Sequence, residues 1–76
     1  MTTLDQLRPG QRGRVLSLQG DAGLVQRLME LGVIEGEEVE LVGAAPLGDP
    51  LEVRLGASRL SLRRREAAGI EVHVLQ

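Results

Sequence analysis

The chain has 76 residues, a net charge of −2 at neutral pH, nine basic residues that are all arginine, and no cysteine, phenylalanine, tyrosine or tryptophan. That length suits a single domain over residues 1–76 with a small core, because a domain of this size buries only about 60% of the surface of its unfolded chain. The missing residue types exclude disulfides and thiolate metal sites, phosphate-loop and Schiff-base lysines, and the aromatic shelves that bind polyproline peptides or unpaired bases.

Thr3 to Leu7 is expected to make one helical turn with Leu4 and Leu7 facing inward, ended by the Pro9-Gly10 turn. Gln11 to Leu18 reads as a first strand with Gly13, Val15 and Ser17 on one face. Leu16 and Leu18 break its alternation, which points to a bulge or to a strand covered on both sides. Gly20-Asp21-Ala22-Gly23 interrupts the chain, and Asp21 is placed to cap a helix from about Ala22 to Leu31. Leu24, Leu28 and Leu31 fall at i, i+4 and i+7 on one face of that helix and are expected to be its core stripe. Gly32 fits the left-handed position that ends a helix, which would bring Val33 against Leu28. Glu35-Gly36 is a second turn.

From there the period changes from helical to alternating. Glu37 to Val42 reads as a second strand. Ala45-Pro46-Leu47-Gly48-Asp49-Pro50 is a loop dense in chain breakers, with Pro50 opening the third strand, Leu51 to Leu55. Gly56-Ala57-Ser58 turns into a fourth strand with Leu60 and Leu62 inward. Arg64 to Ala68 makes a helical turn closed by Gly69. Ile70, Val72 and Val74 then alternate with Glu71 and His73 in a fifth strand. Five short strands with frequent turns predict a mainly β fold, a small closed or nearly closed barrel, with one α-helix between strands one and two capping an open end. No run of 18 apolar residues is present, so no membrane insertion is expected. The opening Met1–Asp5 lacks a basic and then apolar leader, so a cytoplasmic location is expected.

Three segments in register resemble a known family. Arg27-Leu28-Met29-Glu30-Leu31-Gly32-Val33-Ile34-Glu35-Gly36 is similar to the R-L-x-x-L-G-hydrophobic-x-x-G signature of FeoA proteins. Ala45-Pro46-Leu47-Gly48-Asp49-Pro50 resembles that family's hairpin. Leu60 to Ala67, with Arg63 and Ala67, followed by Ile70-Glu71-Val72, is similar to its closing segment. Leu4 and Leu7 before Pro9-Gly10 match its opening, so the resemblance covers nearly the whole chain. Gln26 and Ser58 depart from the family's pattern. The resemblance implies an SH3-like barrel and a cytoplasmic accessory role in bacterial ferrous iron uptake, with a FeoB-type permease carrying a GTPase domain as partner. The alternative is a stand-alone nucleic-acid-binding or repressor-type barrel, since barrels of this kind also occur as C-terminal domains of iron-dependent repressors. A repressor needs a DNA-reading module such as a helix-turn-helix, and the negative charge argues against nucleic acid in general.

No Ser/His/Asp or paired-carboxylate arrangement is suggested by position, so neither catalysis nor a cofactor is expected. His73 and Glu71 lie two apart on one strand face and form the only candidate metal pair. Two ligands on one strand make a weak site unless a second molecule completes it, and a solvated face is the simpler reading. Glu35, Glu37, Glu38 and Glu40 form an acidic cluster; Arg59, Arg63, Arg64 and Arg65 form a basic one. Either they are solvated or mutually paired faces, or they border a docking surface for a protein. The docking candidates are Val33, Ile34 and Leu47, carried on turns, with Arg59, Arg64 and Arg65. Arg63 is assigned a partly structural role.

Overall fold

The computed structural model describes residues 1–75. Within them the chain forms six strands: β1 (Thr2–Thr3), β2 (Arg12–Leu18), β3 (Glu38–Ala44), β4 (Leu51–Leu55), β5 (Ser58–Leu62) and β6 (Ile70–Val74). A helix α1 (Ala22–Glu30) joins β2 to β3, a short helix α2 (Arg64–Ala67) joins β5 to β6, and a 3-10 turn spans Leu4–Gln6. The strands make one antiparallel sheet in the order β1-β6-β2-β3-β4-β5.

The two ends of that sheet feed a single apolar cluster. Leu4 beside β1, Leu62 on β5 and Ala67 on α2 share it with Val15, Val39, Leu51, Val53, Ile70 and Val72. The ends are also tied directly, because Arg64 Nη1 on α2 donates to the Asp5 carbonyl at 3.4 Å. The result is an SH3-like barrel that α1 caps through Leu28, fully buried among the strands.

The expectation of five strands misses β1. Thr2 and Thr3 pair with Val72 and Glu71, but two residues are too few to show alternation. Thr3 also enters the 3-10 turn, its N–H donating to Gln6 Oε1 at 3.0 Å. The bulge expected in the first strand is present. Val15 faces Val72 and Ser17 faces Glu71, so Leu16 drops out of register and is turned to solvent.

The ends of α1 follow local rules. The Asp21 carboxylate accepts from the Leu24 N–H at 2.9 Å, satisfying one amide that the helix cannot. At the other end the Val33 N–H reaches the Leu28 carbonyl and the Gly32 N–H reaches the Met29 carbonyl, both at 2.9 Å. That pair of bonds is the Schellman motif. Gly32 has φ +98°, and a Cβ there would also lie 2.9 Å from Leu55 Cδ2.

This turn corrects two expectations. Val33, taken as a partly exposed docking residue, is 0% exposed and belongs to the core cluster. Leu31, taken as core, is 43% exposed. The helix ends at Leu31, the chain reverses at Gly32, and the place beneath Leu28 goes to Val33 instead. Leu24 is half-buried at the rim of the core, as a partner of the cluster and not a member. Val74 is also partly exposed, because it pairs at the end of β6 with Gly13, which has no side chain to cover it.

One glycine is required by close approach. The Gln19 N–H donates to the Gly69 carbonyl at 2.7 Å, and a Cβ on Gly69 would stand 2.3 Å from the Gln19 carbonyl oxygen. Any side chain there would force the entries to α1 and β6 apart. The glycine that closes α2 therefore also sets the seam between β2 and β6.

Candidate interaction surface

The acidic and basic clusters read from the sequence do not pair with each other. Glu38 and Glu40 of the acidic cluster and Arg59 of the basic one are instead paired with cross-strand neighbours. Glu38 meets Arg12 at 3.3 Å and Arg14 at 3.7 Å, Glu40 meets Arg54 at 3.4 Å, and Glu52 meets Arg59 at 3.0 Å. These pairs are solvent-accessible and contribute at most about 1 kcal/mol each. Their main effect is on the surface potential. With Arg27 paired to Glu66, five different arginines are held in ion pairs. That leaves no basic stripe of the kind that tracks a phosphate backbone.

Arg27 and Glu66 explain two motif positions at once. Arg27 on α1 forms an ion pair with Glu66 Oε2 on α2, and Glu66 Oε1 accepts from the Arg63 N–H at 2.9 Å. One carboxylate, only 17% exposed, thus caps α2 and clamps α1 to it. Arg63 contributes only its backbone N–H to this arrangement, and its residue is exposed. Ala67 beside it is fully buried, where a larger side chain would have no room.

Arg64 is not a free docking group. Its Nε donates to the Gly48 carbonyl, its N–H donates to Asp49 Oδ1 at 3.0 Å, and its Nη1 reaches the Asp5 carbonyl. It is therefore a structural tie for the 45–50 loop, a role that needs the folded proximity of residues 16 apart. Inside the loop the Gly48 N–H donates to the Ala45 carbonyl at 2.7 Å, and Gly48 has φ +89°, with Pro46 in the bend between them. The Pro50 carbonyl accepts from the Ala45 N–H at 2.9 Å and closes the loop at its base. Leu47 at its tip is 97% exposed.

Arg63 and Arg65 line a shallow depression of about 320 Å³ together with Asp49. Among the described residues neither guanidinium is held by an ion pair. Ile34 is 41% exposed in the turn that follows Gly32 and Val33, with Met29 and Leu31 also partly exposed on α1 and its end. Glu35, Gly36 and Glu37 continue this second, acidic and apolar, face. Gly36 has φ +90°, the left-handed turn that sends the chain into β3.

His73 is exposed and Glu71 is half-buried on the same strand. Glu71 Oε1 already accepts from the Ser17 hydroxyl at 3.1 Å. His73 pairs in register with Arg14, a cation and not a metal ligand, whose guanidinium is held by Glu38. Among the described residues no three His, Cys, Asp or Glu side chains come together, and no helix is long and apolar enough to cross a membrane.

Fold and surface together define a small SH3-like barrel domain whose distinctive features are an arginine-tied loop and two charged, partly apolar faces. The chain belongs to the FeoA domain family, whose model matches residues 2–74. It is 33% identical over 72 residues to the Fe(2+) transport protein A/Fe(2+) transporter FeoB fusion protein of Porphyromonas gingivalis. That match takes in 95% of this chain but 8% of the fusion protein, so the chain spans a small part of that relative's length. Among solved structures it matches the FeoA protein of Chlorobium tepidum with a TM-score of 0.93 and 40% identity, covering 99% of this chain and 71% of that one. It also matches the Stenotrophomonas maltophilia FeoA, solved with zinc and described as a procaryotic SH3 domain protein, with a TM-score of 0.83, 37% identity, and coverage of 95% and 89%.

Proposed function

We propose that this chain is a cytoplasmic accessory of ferrous iron uptake that docks on a FeoB-type permease and modulates it. The observation that carries the reading is the Porphyromonas gingivalis protein, in which a domain resembling this one is covalently joined to FeoB. Fusion holds two modules at an effective concentration of about millimolar when the linker is short. A separate chain reaches the same arrangement only through a non-covalent interface. The surface supports such a role, with Leu47 and Arg65 exposed and no assembly of catalytic side chains invoked. Binding, not turnover, is the proposed mode, and the chain neither hydrolyses GTP nor requires a cofactor.

The test is ferrous iron uptake in the parent strain, in a strain lacking this gene, and in that strain carrying a plasmid copy. The expected result is a several-fold change in initial uptake rate on deletion, reversed by the plasmid. Equal rates in all three strains under iron limitation would sink the proposal.

A further inference from the structure

The face formed by Leu47, Arg63 and Arg65 differs from the rest of the surface in two ways. The first is charge. Arg12, Arg14, Arg27, Arg54 and Arg59 are all held by carboxylates, whereas Arg63 and Arg65, like Arg8, have no such partner among the described residues, and unlike Arg8 they lie within two residues of each other. They lie on either side of Arg64 and share the depression with Asp49. The second is order. A leucine at a loop tip that is 97% exposed gains nothing for the fold by its own burial, yet the loop that carries it is fastened at several points. Arg64 holds Gly48 and Asp49, and Ala45 holds both Gly48 and Pro50. The tie runs from α2 itself, so the loop that carries the apolar tip is fixed against the stretch of backbone that carries Arg63 and Arg65. An apolar anchor with arginines close by is the composition of an interface centre, and the ordering of the loop lowers the entropy lost on binding.

We infer that Leu47, Arg63 and Arg65 form the docking epitope of this chain, and that its occupant is an acidic segment of a partner protein carrying an apolar residue next to its carboxylates. The charge decides the occupant. A guanidinium pairs with a carboxylate in a two-pronged geometry that a lysine cannot match, and Leu47 has to be covered by an apolar group for its exposure to be relieved. The Ile34 face cannot take the same occupant, because Glu35 and Glu37 stand on it and would repel an acidic segment, whereas at the epitope the one carboxylate, Asp49, accepts from the Arg64 N–H and is outnumbered by Arg63 and Arg65. The inference rests on the proposed docking to a permease in naming that protein as the partner, while the chemistry of the epitope stands by itself.

Two measurements separate those claims. In the first, the full chain is titrated against the cytoplasmic domain of the FeoB-type permease as wild type, Arg63→Ala/Arg65→Ala, Leu47→Asp, Arg14→Ala and Ile34→Asp, each checked for an unchanged thermal midpoint. The expected result is at least about a tenfold loss of affinity for the double arginine variant and for Leu47→Asp. Arg14→Ala and Ile34→Asp should bind as wild type. Arg14 is a suitable charge control because it pairs with Glu38 at the opposite end of β3, about 20 Å along the strand from the 45–50 loop. Wild-type binding that survives the double arginine change and Leu47→Asp overturns the inference and leaves the permease reading intact.

In the second, the backbone amide spectrum is followed while a short N-acetylated peptide alternating Glu and Leu is added, with a Lys and Leu peptide and inorganic phosphate as parallel probes. Shifts confined to residues 45–50 and 63–65 with the acidic peptide alone are expected, whether or not the permease domain binds. Equal shifts with phosphate would identify a simple anion site, and no shifts in this region would leave no epitope; either outcome overturns the inference. So would sedimentation showing that the chain self-associates through this face in a manner abolished by Leu47→Asp.

Discussion

Val33→Asp is expected to leave the chain unfolded at room temperature. Val33 is 0% exposed and is packed into the core cluster by the Schellman turn, and among the described residues no buried polar or charged side chain stands there to receive a carboxylate. Burying an unpaired charge is among the few single changes that cost more than about 4 kcal/mol. A domain of this size has roughly that much stability in total. Ile34→Asp, one residue further along and 41% exposed, should change stability by no more than about 0.5 kcal/mol. Circular dichroism melts of the two variants test the contrast. A cooperative melt for Val33→Asp near that of the wild type would show that the turn does not bury position 33. The result also governs how binding data are read, because a loss of binding by this variant reports unfolding and not a lost contact.

Leu28→Ala should lower stability by roughly 2–5 kcal/mol. Leu28 is fully buried where α1 meets the sheet, and truncating it removes transfer energy and leaves a cavity that a small barrel cannot collapse. Near the midpoint, about 1 kcal/mol corresponds to roughly 4–8 °C in a domain of this size, so a fall of ten degrees or more is expected. Leu31→Ala on the neighbouring turn should shift the midpoint by only a few degrees, since Leu31 is 43% exposed. Equal effects at 28 and 31 would mean that the helix presents both residues to the core.

These two pairs of positions mark where the sequence was readable. The capping carboxylate of Asp21, the left-handed Gly32 and the contact of Val33 with Leu28 were legible because each is set by neighbours within a few residues. Period 2 placed Leu51, Val53, Leu62, Ile70 and Val72 inward for the same reason, and their burial follows. The exposure of Val33 was misjudged because two local rules disagreed. A position in a turn suggests solvent, whereas its place after Gly32 brings it under the helix, and only the packing of β-strands around it decides. The exposure of Leu31 does not follow from i+7 periodicity, which counts it with the core face, whereas the reversal at Gly32 gives that place to Val33.

The surface was less legible than the core. Arg64, expected with Arg59 and Arg65 to serve docking, is instead the tie that holds the 45–50 loop to α2. Arg27 carried no visible purpose until Glu66, 39 residues away, came beside it. Long-range partners of this kind leave no mark on sequence spacing. Leu47 and Arg65 kept the exposure expected of them, and the depression that Arg65 shares with Arg63 is a product of the fold alone.

The most direct test of the account is binding of the purified full chain to immobilised FeoB-type permease, both as the cytoplasmic domain and as the full-length protein in detergent, followed by interferometry at low and high salt. The predicted result is saturable, stoichiometric binding to the full-length protein at 0.1 M salt. It should weaken mainly through a slower on-rate at 1 M, where the Debye length falls from about 10 Å to about 3 Å. Folded wild-type chain that binds neither form at either salt concentration would contradict the account.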